Sequence, residues 1–266
     1  MAELTESKSG DAKGSFEATL SIRELGRRLR PAVITIDGPA ASGKSTVGYA
    51  LAQALDYLFL DTGVMYRAVT WAALRRSLDV EDGETVGALA AELPLDVLPP
   101  ADDTGDGRQC TVLVGSEDVT TAIRSPQIDR NVSAVSAHAT VRQALTAHQR
   151  RIGVRFGEGH ADKAGVVMVG RDIGTVVMPD APLKVFLDAT AEERARRRYE
   201  ELQERGRAVD YAQVLDDINR RDQIDSNRAL SPLAVAADAI VVDTTELTPQ
   251  EVVERIVDLV RAVVAA

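Results

Sequence analysis

Cysteine is nearly missing from this chain. Cys110 stands alone among 266 residues, which excludes an internal disulfide framework and a CxxC metal site and makes a reducing cytoplasm the expected setting. Histidine is scarce as well. His138, His148 and His160 show no metal-ligand spacing and read as solvated or core side chains. No uninterrupted apolar stretch approaches the roughly 20 residues that cross a bilayer, so no membrane-spanning helix is expected. The opening MAELTESKSGDAKGSFEATL has no apolar stretch of the signal-peptide kind, and no secretory leader is expected. Lysine occurs only at Lys8, Lys13, Lys44, Lys163 and Lys184, and the other cations are arginines. The balance of 31 basic and 41 acidic residues, a net charge of −10, repels polyanions and argues against general nucleic-acid binding. It still permits a small anionic substrate wherever arginines gather in one cleft.

What is present is ordinary globular material. Apolar residues make up 45% and charged residues 27%, enough for a real core. Residues 1–30 are polar and read as a mobile tail, with a short helix at SIRELGRRLR. Then come short runs that are apolar at every position, as in strands buried on both faces of a parallel sheet: AVITI (32–36), YLFLD (57–61), VVMVG (166–170), LKVFLD (183–188) and AIVVD (239–243). Helical spacing separates them, in STVGYALAQALDYL with Val47, Leu51, Ala54 and Leu55 on one face, in residues 63–78, and in a last helix at 248–264 that opens on Thr248 and Pro249. Between them lies an acidic, proline-bearing stretch (79–108) with the turn run ADDTGDG (101–107). A small hairpin (111–115 with 117–121) and a mostly helical segment (125–156) follow. The expected fold is α/β, a P-loop architecture with a five-stranded parallel sheet flanked by helices. Its expected divisions are a core in three pieces (31–92, 158–190 and 229–266), an inserted lobe (93–157) and an arginine-rich lid segment (191–228).

The sharpest motif is Gly38, Pro39, Ala40, Ala41, Ser42, Gly43, Lys44 and Ser45, followed by Thr46. It is G-x-x-x-x-G-K-[ST], placed after a strand and opening a helix. The glycines allow a tight turn, so that several backbone N–H groups converge on phosphate oxygens near the positive end of the next helix. Lys44 would reach the outer phosphates and the Ser45 hydroxyl would ligate Mg²⁺. No Asn-Lys-x-Asp segment accompanies it, which argues against a GTPase switch. Arg67 and the pair Arg171–Asp172 follow strand ends, where parallel sheets bind ligands. Arg194, Arg197 and Arg198 share one helix face, either as a flap over phosphates or as part of a solvated helix laced by Glu192–Arg196 and Glu193–Arg197 pairs. The residues leave open a kinase acting on another small acceptor, for which Asp37 is the obvious carboxylate base, and a nucleotide binder without catalysis.

Five segments together resemble the bacterial cytidylate kinases: VITIDGPAASGKST, FLDTGVMYRA, GSEDVTTAIR, GRDIGTVVMPDAPLKVFLDATAEERARRR and RDQIDSNRALSPLAVAADAIVVDTT. The resemblance runs from about residue 31 to the C-terminus. It implies a P-loop nucleoside monophosphate kinase with a core, a monophosphate-binding insert and a lid, acting as a monomer. The implied reaction transfers the γ-phosphate of ATP to CMP or dCMP with Mg²⁺. By matching positions, Thr62, Arg142 and Asp172 would read the cytosine, and Ser133, Asp225 and Arg221 would hold the ribose. Arg67, Arg171 and Arg228 would hold the acceptor phosphate, with Arg194 and Arg198 supplied by the lid. The catalytic set expected is therefore Lys44, Arg171, Arg194 and Arg198. Two positions depart from the family pattern: Thr62 stands where Ser is frequent, which keeps the hydroxyl, and Val169 stands where Asp is frequent.

Overall fold

The computed structural model describes residues 20–100, 108–159, 162–228 and 230–266. Most of the tail (1–19), the turn run 101–107 and His160 lie outside the described residues.

A five-stranded parallel sheet forms the centre, built from β1 (Val33–Asp37), β2 (Leu58–Asp61), β6 (Val166–Val169), β7 (Leu183–Asp188) and β8 (Ile240–Asp243) in the order β2-β6-β1-β7-β8. These are the five apolar runs of the sequence. Successive side chains along each strand feed opposite faces, and two separate cores result. Leu58, Leu60, Val166 and Met168 enter one. Ile34, Ile36, Phe59, Val167 and Leu187 enter the other.

The second face is covered by α2 (Lys44–Leu55), α9 (Pro249–Ala265) and the short α1 (Ile22–Arg28). Residues 22–29 therefore do not behave as the mobile tail the composition suggested. Leu25 and Leu29 are buried against α2 and α9, and the Tyr57 hydroxyl donates to the Gly26 carbonyl. Ser21 and Glu24 close a capping box on α1. The same device, Thr248 with Glu251, starts α9.

The first face carries α3 (Gly63–Arg75), α4 (Gly83–Glu92), α5 (Pro126–Ala137) and α6 (Ala139–Gly157), together with a three-stranded antiparallel sheet of β3 (Leu95–Leu98), β4 (Thr111–Val114) and β5 (Glu117–Asp118). The hairpin read from sequence thus gains a third strand. Within the acidic stretch the sequence also hides α4, capped by Asp82 and anchored by Val86 and Leu89. One continuous apolar cluster runs from Leu60 through Val86, Val112 and Ile123 to Leu145. The expected insert consequently shares its core with the sheet instead of forming one of its own. The last pair, α7 (Ala191–Glu204) and α8 (Tyr211–Ser226), folds together over Ala195, Leu202, Val214 and Ile218, a small cluster that also takes in Ala40. Among the described residues no helix is long and apolar enough to cross a membrane.

Candidate active site

The C-terminal end of β1 runs straight into the glycine loop and α2. Gly38 has φ 148°, and a Cβ there would lie 2.1 Å from the Leu187 carbonyl oxygen, so only glycine fits. Gly43 (φ 90°) and Ala41 (φ 59°) also take the left-handed region, and no side chain caps α2. Its first backbone N–H groups are left facing the loop, the arrangement that suits a phosphate. Lys44 is buried and curls back, donating to the Pro39 carbonyl at 2.5 Å and to Ser42 Oγ at 3.4 Å. Burial, with Arg171 nearby, pushes its pKa well below the usual lysine range. Ser45 Oγ donates to Asp61 Oδ2 at 2.9 Å, and the other oxygen of Asp61 accepts from the Gly63 amide.

A cleft of about 1910 Å³ joins this loop to a second, arginine-rich wall. That is roughly the room for two drug-sized ligands, not one. Arg142, from α6, is 2% exposed. Its Nη2 donates to Asp172 Oδ2 at 2.7 Å, its Nη1 donates to the Ser136 carbonyl, and its guanidinium lies 5.4 Å from the Tyr66 ring centroid. Arg142 Nε is buried without a partner among the described residues. Thr62 Oγ1 donates to the Val169 carbonyl at 2.9 Å, leaving its own lone pairs free to accept. Ser133, on α5, lines the same wall.

Asp225, 1% exposed near the end of α8, gathers the neighbouring cations. Arg171 Nε donates to it at 2.8 Å, Arg228 Nη2 donates to its other oxygen, and Arg221 Nε stands 4.0 Å away. Burial opposes the charge, yet these three guanidinium groups hold the carboxyl below its ordinary pKa. Arg67 donates to the Ile123 carbonyl and to Asp129 Oδ1 at 2.8 Å, while Arg207 reaches the other oxygen of Asp129 at 3.4 Å. The guanidinium groups are thus pre-ordered by carboxylates on the wall opposite the glycine loop.

Residues 34–262 match the model of the cytidylate kinase family. The chain belongs to that family. It is 51% identical over 227 residues to a cytidylate kinase of Roseiflexus castenholzii, covering 85% of this chain and 92% of that one. It is 48% identical over 231 residues to one of Herpetosiphon aurantiacus, covering 86% and 94%. Against one of Bacillus subtilis it is 44% identical over 227 residues, covering 85% and 95%.

In this family member the residues read from sequence fall into three places. Residues 40–46 line the glycine-loop end of the cleft, with Gly38 and Pro39 leading into it. Thr62, Arg67, Ser133, Arg142, Arg171, Asp172, Arg221, Asp225 and Arg228 line the remainder. The three arginines grouped on α7 separate. Arg194 turns inward, donating to the Ala189 and Ala40 carbonyls and pairing with Asp222 at 2.7 Å. Arg197 reaches Thr244, and Arg198 faces the cleft while pairing with Glu201. Of the helix-lacing pairs, Glu193–Arg197 forms, whereas Arg196 takes Glu193 and Glu200.

Sequence reasoning gave no role to Asp61, Asp129 and Tyr66: Asp61 and Tyr66 stand inside the segment FLDTGVMYRA, whose spacing alone does not single them out, and Asp129 stands in none of the quoted segments. The carboxylate offered as a base, Asp37, is 4% exposed and accepts the backbone N–H groups of Ile173 and Gly174. It is committed to the fold through those two amides and is not among the residues lining the cleft.

Proposed function

We infer that this chain transfers the γ-phosphoryl group of ATP to the phosphate of CMP or dCMP, yielding ADP and CDP or dCDP. The observation that carries the reading is the buried Arg142–Asp172 pair opening on the same cleft as the glycine loop. Cytosine needs an acceptor for its exocyclic amine and a donor for its carbonyl, and the pair offers one of each. Thr62 adds a hydroxyl at the base, and Ser133, Asp225 and Arg221 meet the ribose. Arg67, Arg171 and Arg228 take the acceptor phosphate, and Lys44 with the loop amides takes the donor phosphates. We assign Arg198 to the transferring group and Arg194 to bracing the loop from below. In domain terms, 93–157 forms the acceptor side, 191–228 the lid, and the remainder from residue 31 the core.

The nucleophile is a phosphate oxygen that is already ionised near neutral pH, so no general base is required. The barrier lies in aligning two anions, and fixed guanidinium groups lower it electrostatically. Ser45 Oγ and the Asp61 carboxylate are hard oxygen donors beside the loop, which suits Mg²⁺. When bound, Mg²⁺ would neutralise charge on the donor phosphates. We further propose that the chain acts as a monomer in a cytoplasmic setting, where ATP is available.

A coupled ADP-release assay across CMP, dCMP, UMP, AMP, GMP and dTMP tests the reading. CMP and dCMP should exceed the purine nucleotides and dTMP by at least about a hundredfold in kcat/KM, given the discrimination that buried hydrogen-bonding groups provide. Similar rates across the panel would contradict the base assignment.

A further inference from the structure

Asp37 ends β1 and precedes the glycine loop by one residue, which places it in sequence on the donor side. Its side chain points elsewhere. Oδ1 accepts the Ile173 amide at 2.9 Å and Oδ2 accepts the Gly174 amide at 2.7 Å. These amides begin a π-helical turn, Ile173–Val177, that directly follows Arg171 and Asp172. The fit is close. A Cβ on Gly174 would lie 3.0 Å from Thr35 Oγ1 and 3.4 Å from Asp37 Oδ2, and one on Gly170 would lie 2.7 Å from Thr62 Oγ1. The Gly170 amide meanwhile donates to the Ile36 carbonyl. The loop carrying Arg171 and Asp172 is therefore fastened at one end by the backbone of β1 and at the other by the Asp37 carboxylate.

We propose that Asp37 is a positioning residue for the acceptor nucleotide, holding Arg171 and Asp172 in register with the glycine loop through the Ile173 and Gly174 amides. Removing the carboxylate leaves two buried N–H groups without an acceptor, and the loop shifts to find others. Asp172 then loses its alignment with Arg142, and Arg171 with Asp225. The donor end, set by glycine dihedrals and the start of α2, is left as it was.

The inference rests on the (d)CMP kinase reading, and the experiment separates the two. Asp37→Asn keeps the volume and turns one of the two acceptors into an NH2 donor facing a backbone N–H, and the smaller Asp37→Ser serves if Asp37→Asn does not fold. Initial rates with CMP and ATP varied should show KM for CMP raised about tenfold or more, with KM for ATP within about twofold. Amide exchange over residues 170–178 should quicken while that over 38–46 stays unchanged. Equal rises in both KM values, an unchanged KM for CMP, or unaltered exchange at 170–178 would overturn the proposal. A large fall in kcat with both KM values constant would also overturn it, since that is the signature of a base. If the wild-type protein fails to phosphorylate CMP, the functional reading falls, and the exchange measurement still decides whether Asp37 fastens the loop.

Discussion

Asp225 shows how single residues set this site. Three guanidinium groups converge on one carboxylate that is almost wholly buried. Asp225→Ala would leave the half-buried Arg171 and Arg228 without their carboxylate partner, a change that costs up to several kcal/mol in comparable sites. KM for CMP should rise by roughly ten- to a hundredfold, with KM for ATP nearly constant in initial-rate measurements. An unaltered KM for CMP would refute the ribose and phosphate assignment. Gly38→Ala presses a methyl group onto the Leu187 carbonyl, and urea unfolding should show a loss of about 3 kcal/mol or more. Asp37 supplies the pH prediction. Burial raises its pKa from the ordinary 3.8 to about 6, against the pull of the two amides. The native state then binds the proton more tightly than the unfolded chain does. The stabilising contribution is present in full below about pH 4 and is lost as pH rises through about 6. Wild type should therefore lose about 1–3 kcal/mol relative to Asp37→Asn between pH 4.5 and 7.5. A constant difference between their urea midpoints would contradict this.

Among the elements, α1 lies outside the span that matches the family, yet its apolar face is buried against α2 and α9. Replacing Leu25 and Leu29 by Ala should each cost about 2–5 kcal/mol in urea unfolding. An unchanged midpoint would show that the helix is not part of the folded unit. The helix itself was legible at SIRELGRRLR, but its docking was not, because a polar tail surrounds the two buried leucines and composition averages them away. The sequence disguised α4 for the same reason: acidic residues face solvent there while Val86 and Leu89 are buried. Where each residue of a run is apolar, as in VVMV, the reading was direct. Both faces of those strands are covered, and the pattern needs no correct phase to be seen.

The whole molecule places the glycine loop and an arginine-rich wall on one cleft in an otherwise acidic chain. The donor wall was legible because a loop and a helix start are contiguous in sequence. The acceptor wall was not legible from spacing. Arg142, Asp172 and Asp225 lie far apart in the chain; the strand end pointed to Asp172, but the family resemblance alone pointed to Arg142 and Asp225. Asp129 and the clamp role of Asp37 escaped even that, because each shows itself only through a partner far along the chain. On the proposed function, both nucleotides occupy this cleft together and exchange a phosphoryl group directly. The most direct test is titration calorimetry with CMP, with and without a saturating non-hydrolysable ATP analogue. One CMP per chain, bound as tightly or more tightly in the presence of the analogue, is the predicted result. Displacement of CMP by the analogue would contradict it.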